Sequence, residues 1–212
     1  MFDGILFDLD GTLWDATPAI RDAWNQAMAD CGGPQRPPVT LEEIRACMGL
    51  LRRDICARLF PGESDEIWDA LSARQMVHLT ERLEAGGSVL FPQVEETLRA
   101  LSQNAKLFLV SNCGDRYLNA FYGGHGLKKY FFADLCAGRT RRPKADNIAQ
   151  VVREYGLKAP VYVGDTQLDL DSAAAAGVPF LHAAYGFGVL DGVPAAATFA
   201  DIPEALAGMC PP

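Results

Sequence analysis

Residues 5–12 read Ile5-Leu6-Phe7-Asp8-Leu9-Asp10-Gly11-Thr12, and this stretch decides the fold class. A short apolar run ends in two carboxylates one residue apart, followed by a Gly-Thr turn. In a parallel sheet both faces of a strand are buried, and ligands collect where the carboxyl ends of the strands emerge. Two acids crowded at such an edge repel, so one of them carries a proton or both face a cation. Taken alone, Asp8 and Asp10 also fit an ordinary turn after a strand, where Asp and Gly are common for local hydrogen-bonding and backbone reasons.

Outward from this strand, residues 15–86 read as helix throughout. Thr17 is placed as the N-cap of a first helix, with Pro18 behind it and an apolar stripe of Ile20, Trp24, Ala27/Met28 and Cys31 before Gly32-Gly33. Thr40 and Glu43 form a capping-box pattern after Pro37-Pro38, and Ile44, Cys47 and Met48 supply a face that Gly49 ends. Leu51, Ile55 and Leu59 continue the helical period, as do Ile67, Trp68, Leu71, Val77, Leu79 and Leu83. From residue 87 the pattern becomes alternating strand and helix. Strand-like runs stand at 107–110, 134–136, 161–163 and 178–181, with helical patterns near 94–101, 117–121, 148–155 and 170–176. Right-handed crossovers turn such an alternation into a doubly wound parallel sheet, which the first strand must join in order to pair. The expectation is an α/β core of residues 1–14 and 87–212, with an all-helical cap of residues 15–86 emerging beside Asp8 and Asp10 as a lid.

Three more strand ends carry polar groups. Leu109-Val110 runs into Ser111-Asn112, small donors suited to an anionic oxygen. Lys144 follows Pro143 just before a helix, where an ammonium and a helix N-terminus would both attract phosphate. Val163-Gly164-Asp165-Thr166-Gln167-Leu168-Asp169 releases two carboxylates four residues apart, a donor set that hard cations favour. Each has an ordinary alternative: a Ser/Asn turn, a surface lysine, a turn former and a helix cap. The four clusters gain force jointly, because one sheet brings all of them to one edge.

The formal charge of −8 over 212 residues repels phosphate backbones, and the single dense basic run is Arg139-Thr140-Arg141-Arg142-Pro143-Lys144, so nucleic acid is not an expected partner. No basic stretch followed by a signal-length apolar segment opens the chain at Met1, and no apolar run approaches a membrane span; a cytoplasmic protein with no membrane partner is expected. The cysteines (Cys31, Cys47, Cys56, Cys113, Cys136, Cys210) and histidines (His78, His125, His182) lack metal-ligand spacing and read as structural, Cys113 alone lying near enough to the proposed site for oxidation to matter.

In combination and order, Asp8-Leu9-Asp10-Gly11-Thr12, Ser111, Lys144 and Gly164-Asp165-Thr166 with Asp169 resemble the four motifs of the haloacid dehalogenase-like hydrolase superfamily, in particular its phosphoglycolate phosphatase-like branch. The resemblance covers nearly the whole chain and implies a Rossmann-like core with a helical cap. It implies a phosphoric monoester hydrolase in which Asp8 is the nucleophile that forms an aspartyl-phosphate and Asp10 is the general acid/base. It implies Mg²⁺ held by Asp8, the Asp10 backbone carbonyl, Asp165 and, directly or through water, Asp169. Ser111 and Lys144 would hold the transferring phosphoryl oxygens, with Gly11, Thr12 and Asn112 assisting. The substrate implied is a small phosphorylated metabolite, phosphoglycolate-like or a sugar phosphate. Dehalogenases of the superfamily lack the acid found here at Asp10, since displacing halide needs no protonated leaving alkoxide.

Two features depart from the family pattern. Pro143 precedes Lys144, where many relatives place the proline after the lysine, so Arg142 is a second candidate for its role; and Trp14 stands where smaller residues are frequent, either narrowing the leaving-group pocket or packing at the cap hinge. The alternatives are a sugar-phosphate mutase of the same superfamily and a non-catalytic, phosphate-responsive binding protein. Arg45, Arg52, Arg53 and Arg58 are the cap cations available to a substrate, or else a solvated helix face. Either a monomer or a homodimer fits the sequence.

Overall fold

The computed structural model describes residues 2–209; Cys210, read with the other cysteines as structural, lies outside them. Strand β1 (Gly4–Phe7) leads through a short strand β2 (Trp14–Asp15) into four helices, α1 (Thr17–Asp30), α2 (Leu41–Arg45), α3 (Arg52–Leu59) and α4 (Asp65–Glu84). A second short strand, β3 (Val89–Leu90), leads back. The chain then runs α5 (Val94–Leu101), β4 (Lys106–Ser111), α6 (Asp115–His125), β5 (Phe131–Cys136), α7 (Ala137–Thr140), α8 (Lys144–Glu154), β6 (Pro160–Gly164), α9 (Gln167–Ala175), β7 (Phe180–Ala183), β8 (Ala195–Ala196) and α10 (Ile202–Ala207). Six strands form one sheet in the order β5-β4-β1-β6-β7-β8, and every pairing in it is parallel. This is the expected doubly wound α/β fold. Among the described residues no helix is long and apolar enough to cross a membrane.

The period of two along the strands divides the core. Ile5, Phe7, Leu107, Leu109, Val161 and Val163 pack on one face with Leu98, Phe121 and Ile202, whereas Leu6, Phe108, Val110 and Tyr162 pack on the other with Ile148, Val151 and Ala173. A side chain of this size, fully buried, contributes about 1.5–3 kcal/mol, so two filled faces fix the central position of β1 between β4 and β6. That position sets Asp8 and Asp10 at the middle of the carboxyl edge.

Several local expectations need correction. Thr17 is not the cap of α1: the N-cap is Ala16, and the Asp15 carboxylate accepts from Thr17 N at 2.8 Å and Thr17 Oγ1 at 2.6 Å. The Thr40/Glu43 capping box is present, but α2 ends at Arg45, before Cys47 and Met48. Ile67 and Val77 lie on the outer face of α4, 39% and 42% exposed, while Leu71, Leu79 and Leu83 face inward. Strands β2 and β3 pair antiparallel, Trp14 with Leu90 and Asp15 with Val89, and so tie together the two crossings into the helical segment. Strands of two residues carry no periodicity and leave no trace in the sequence pattern.

Candidate active site

Asp8 follows β1 directly; its backbone N–H still donates to Val163 O at 2.9 Å, continuing the sheet, and its side chain is buried. Lys144, the first residue of α8, is 2% exposed and reaches between two carboxylates, with Nζ 2.9 Å from Asp8 Oδ1 and 2.5 Å from Asp169 Oδ1. The contact with Asp8 is an ion pair without hydrogen-bond alignment, so Asp8 Oδ1 is a buried oxygen lacking a hydrogen bond among the described residues. Asp169 is fully committed: besides Lys144, its Oδ2 accepts from Asp165 N (3.2 Å), Thr166 N (3.0 Å) and Thr166 Oγ1 (2.7 Å). It therefore completes the capping box of α9, whose N-cap is Thr166, and anchors the lysine at once. Asp165 accepts from Phe187 N at 2.8 Å. Arg142, the alternative to Lys144, is exposed and turns to Gln150 Oε1 at 3.5 Å, away from this network.

Ser111 ends β4 beside this cluster, and Asn112 donates from Nδ2 to Gly49 O at 2.8 Å, a bond between the core edge and the helical segment. Its Oδ1 is buried without a hydrogen-bond partner among the described residues. Gly11 and Thr12, expected among the phosphoryl donors, are engaged inside the turn instead. Gly11 N donates to Trp14 O at 3.0 Å, and the buried Thr12 hydroxyl lies 3.5 Å from Asp165 Oδ1. Gly11 has φ +79°, and a Cβ there would stand 2.1 Å from Asp165 Oδ2, so only glycine lets the turn lie against that carboxylate.

A cavity of about 120 Å³ opens on this edge, lined by Asp8, Asp10, Ser111 and Asn112 on the sheet side and by Trp24, Ile55, Met76, Leu79, Gln75 and Arg52 on the helical side. Of the cap arginines only Arg52 lines it: Arg53 pairs with Asp65, Arg45 lies 3.8 Å from Asp15, and Arg58 is exposed. Trp14 does not line it. The ring is fully buried, 5.2 Å from Tyr117 and 5.0 Å from Phe121 between centroids, so it packs where the chain crosses into the helices, and its Nε1 bonds Asp10.

Four carboxylates face a single ammonium here. Burial, opposed by Lys144 and reinforced by Asp169, pushes Asp8 up; burial with Asp169 and Asp8 does the same to Asp165. Asp10 is pushed up to about 7 by burial, against the hydrogen bond from Tyr117. Burial alone would lower Lys144, but Asp169 and Asp8 carry it above its ordinary value, so it stays charged. Oxygens of Asp8, Asp165 and Asp169 lie within 4.8 Å of one another. Three buried carboxylates within reach of one another and an excess of negative charge over the single ammonium fit a small divalent cation such as Mg²⁺. Cys113 lines the cavity as well, but its contact with Cys136 and its burial hold the thiol well above its usual pKa, the opposite of an activated thiolate.

The loop after β7 is the part of the site that motif spacing did not flag. Phe187 N bonds Asp165, Tyr185 Oη donates to Thr12 O at 2.9 Å, and a Cβ on Gly186 would come within 2.3 Å of Asp165 Cβ. The one sequence signal is the Tyr-Gly-Phe-Gly run at 185–188, glycines at alternate positions directly after a strand.

The family model described as haloacid dehalogenase-like hydrolase matches residues 5–183. The chain is 30% identical over 195 residues to the phosphoglycolate phosphatase of Aliivibrio fischeri, covering 86% of this chain and 84% of that one. It is 30% identical over 223 residues to the phosphoglycolate phosphatase of Rhodobacter capsulatus, covering 99% and 97%. A haloacid dehalogenase-like family hydrolase from Streptococcus pneumoniae superposes with a TM-score of 0.83 at 21% identity over 97% of this chain and 98% of that one, a likeness of fold. The chain belongs to the haloacid dehalogenase-like hydrolases, in their phosphoglycolate phosphatase-like branch, and is a phosphatase.

Proposed function

We propose that this phosphatase hydrolyses a small phosphorylated metabolite, phosphoglycolate-like or a sugar phosphate, through an aspartyl-phosphate on Asp8. The observation that carries the proposal is the buried Lys144 ammonium between Asp8 and Asp169, at 2.9 and 2.5 Å, which ties into a charged network the Asp8 carboxylate that lines the cavity with Asp10 and Ser111. A carboxylate oxygen of Asp8 attacks phosphorus while the ester P–O bond breaks, and the proton of Asp10 goes to the departing alkoxide. Asp10 then takes a proton from water, the water oxygen attacks phosphorus, and the Asp8–phosphate bond breaks to release phosphate. Near pH 7 a carboxyl with a pKa of about 7 is populated in both forms, which suits a group that must give and regain one proton. Lys144 and Ser111 offer donors to the phosphoryl oxygens, and Asn112 extends that set.

Mg²⁺ is the proposed cofactor; Asp8, the Asp10 backbone carbonyl and Asp165 would hold it, with Asp169, whose two oxygens are already bonded, a direct or water-mediated ligand. When bound, the ion supplies positive charge that offsets the phosphoryl oxygens and the carboxylates around them. Residues 15–86 are proposed to act as a cap over a core of residues 1–14 and 87–212, closing on the leaving group and excluding water. The same proposal has the protein act in the cytoplasm, as a monomer or homodimer, on a metabolite rather than on nucleic acid or a membrane.

Phosphate release from a panel of small phosphomonoesters, with and without Mg²⁺, tests it with wild type beside Asp8→Asn. Metal-dependent release lost in the variant is the expected result. Wild-type turnover by Asp8→Asn would overturn the covalent route, and a wild type inert on every ester would overturn the substrate class.

A further inference from the structure

The Asp10 carboxyl group is not free to turn. Trp14 Nε1 donates to Asp10 Oδ1 at 2.9 Å, and Tyr117 Oη donates to the same oxygen at 2.5 Å. Oδ2 takes part in no hydrogen bond among the described residues, and Asp10 lines the cavity. The donors come from separate parts of the chain, Trp14 from β2 at the crossing into the helices and Tyr117 from the first turn of α6. Each is fixed by packing. Trp14 is fully buried and Tyr117 is 5% exposed; their rings meet edge to face at 5.2 Å, and Trp14 also meets the His125 ring at 5.6 Å. His125 Nε2 in turn lies 3.2 Å from Ser88 Oγ, at the return crossing. Each buried ring carries one polar hydrogen, and leaving it unpaired would cost about 1–3 kcal/mol, so both hydrogens stay on Asp10.

A carboxyl oxygen has two lone pairs, and on Oδ1 both are taken. A proton placed there would displace one donor, so the proton Asp10 carries belongs on Oδ2. We propose that Trp14 and Tyr117 are positioning residues for proton transfer, together reserving Asp10 Oδ2 as the oxygen that gives the proton to the leaving alkoxide and takes it back from water. The inference rests on the acid/base role proposed above for Asp10. In the first step the Oδ2–H bond breaks as the alkoxide O–H bond forms; in the second, a water O–H bond breaks as Oδ2–H re-forms. The atoms balance without a further reactant. The arrangement also joins the chemistry to the crossing, since β2 both pairs with β3 and holds Asp10.

The test compares kcat/KM on two esters, p-nitrophenyl phosphate, whose phenolate leaves without protonation, and a small alkyl phosphate, whose alkoxide does not. This parameter covers the steps up to departure of the leaving group. Tyr117→Phe keeps the ring and removes the donor; Trp14→Phe removes the other. Asp10→Asn sets the scale, with an expected loss on the order of 10²-fold or more on the alkyl ester and much less on the aryl ester. Tyr117→Phe is expected to lose about 10-fold on the alkyl ester and little on the aryl ester, with Trp14→Phe following the same order, and neither is expected to add to Asp10→Asn. Equal losses on both esters, or full additivity with Asp10→Asn, would reduce Trp14 and Tyr117 to packing residues and overturn the inference. An Asp10→Asn variant that loses equally on both esters would instead overturn the acid role of Asp10, and this inference with it.

Discussion

The two walls of the cavity are built on opposite principles. On the sheet side Asp8, Asp10, Ser111 and Asn112 line it, and Asp8 is held in a buried, cross-bonded network with Lys144 and Asp169, which Asp165 joins through its backbone N–H. On the helical side, Trp24, Ile55, Met76 and Leu79 present apolar surface, and Arg52 and Gln75 are the two long polar side chains among the lining residues. Gln75 is 6% exposed and makes no side-chain hydrogen bond to any described residue, so its amide is available to a ligand. The difference teaches a division of labour. A buried charge network tolerates little change, because removing one member leaves the others desolvated and unpaired, whereas an apolar wall with two polar points can be altered with modest loss.

Substitutions can break or sharpen that contrast. The largest effect belongs to the sheet side: Asp8→Asn is expected to lower kcat on the order of 10³-fold or more, read by steady-state phosphate release. Lys144→Ala is expected to damage both KM and kcat and also to destabilise the fold, by about 3–5 kcal/mol in urea unfolding, since Asp8 and Asp169 lose their buried counter-charge. An active, stable Lys144→Ala enzyme would erase the contrast. Chelation of Mg²⁺ should abolish activity reversibly, and re-addition at 100 times Kd should raise stability by about 2.7 kcal/mol, seen as a higher Tm without any substrate present.

On the helical side Arg52→Ala and Gln75→Leu should raise KM several-fold, to different extents on different esters, while kcat on the smallest ester changes little. The smallest effect lies far from the cavity, at Asp30. Hydrogen bonds from Gln26, His78 and Arg74 hold its carboxyl well below the usual value of 3.8. A depressed folded-state pKa contributes stability above the unfolded value and loses it as pH falls toward the folded one. The Tm of Asp30→Asn should therefore sit slightly below wild type at pH 7, and the gap should close as pH drops below about 4.

Much of this molecule is legible in the sequence, and the particular residues show why. Asp8, Ser111 and Asp165 each end or follow an apolar run, so period and spacing locate them at strand ends, which a parallel sheet gathers to one edge, while Lys144 is marked instead by the start of a helix. The doubly wound fold followed from the same alternation. What escaped was short or distant. Strands β2 and β3 have two residues each, too few for a period, and Gly11 and Thr12 looked like phosphoryl donors because a motif names positions, not where their hydrogens go.

The sequence by itself determined the fold class, the positions of the polar residues at strand ends and the family, because hydrophobic period and turn residues act within a few positions along the chain. The tertiary structure decided the partners: Tyr117 on Asp10 across 107 positions, Asn112 on Gly49 across 63, Phe187 on Asp165 across 22. It also decided that Arg142 turns outward while Lys144 turns in, since a side chain's direction is set by what packs against it rather than by its neighbours in sequence.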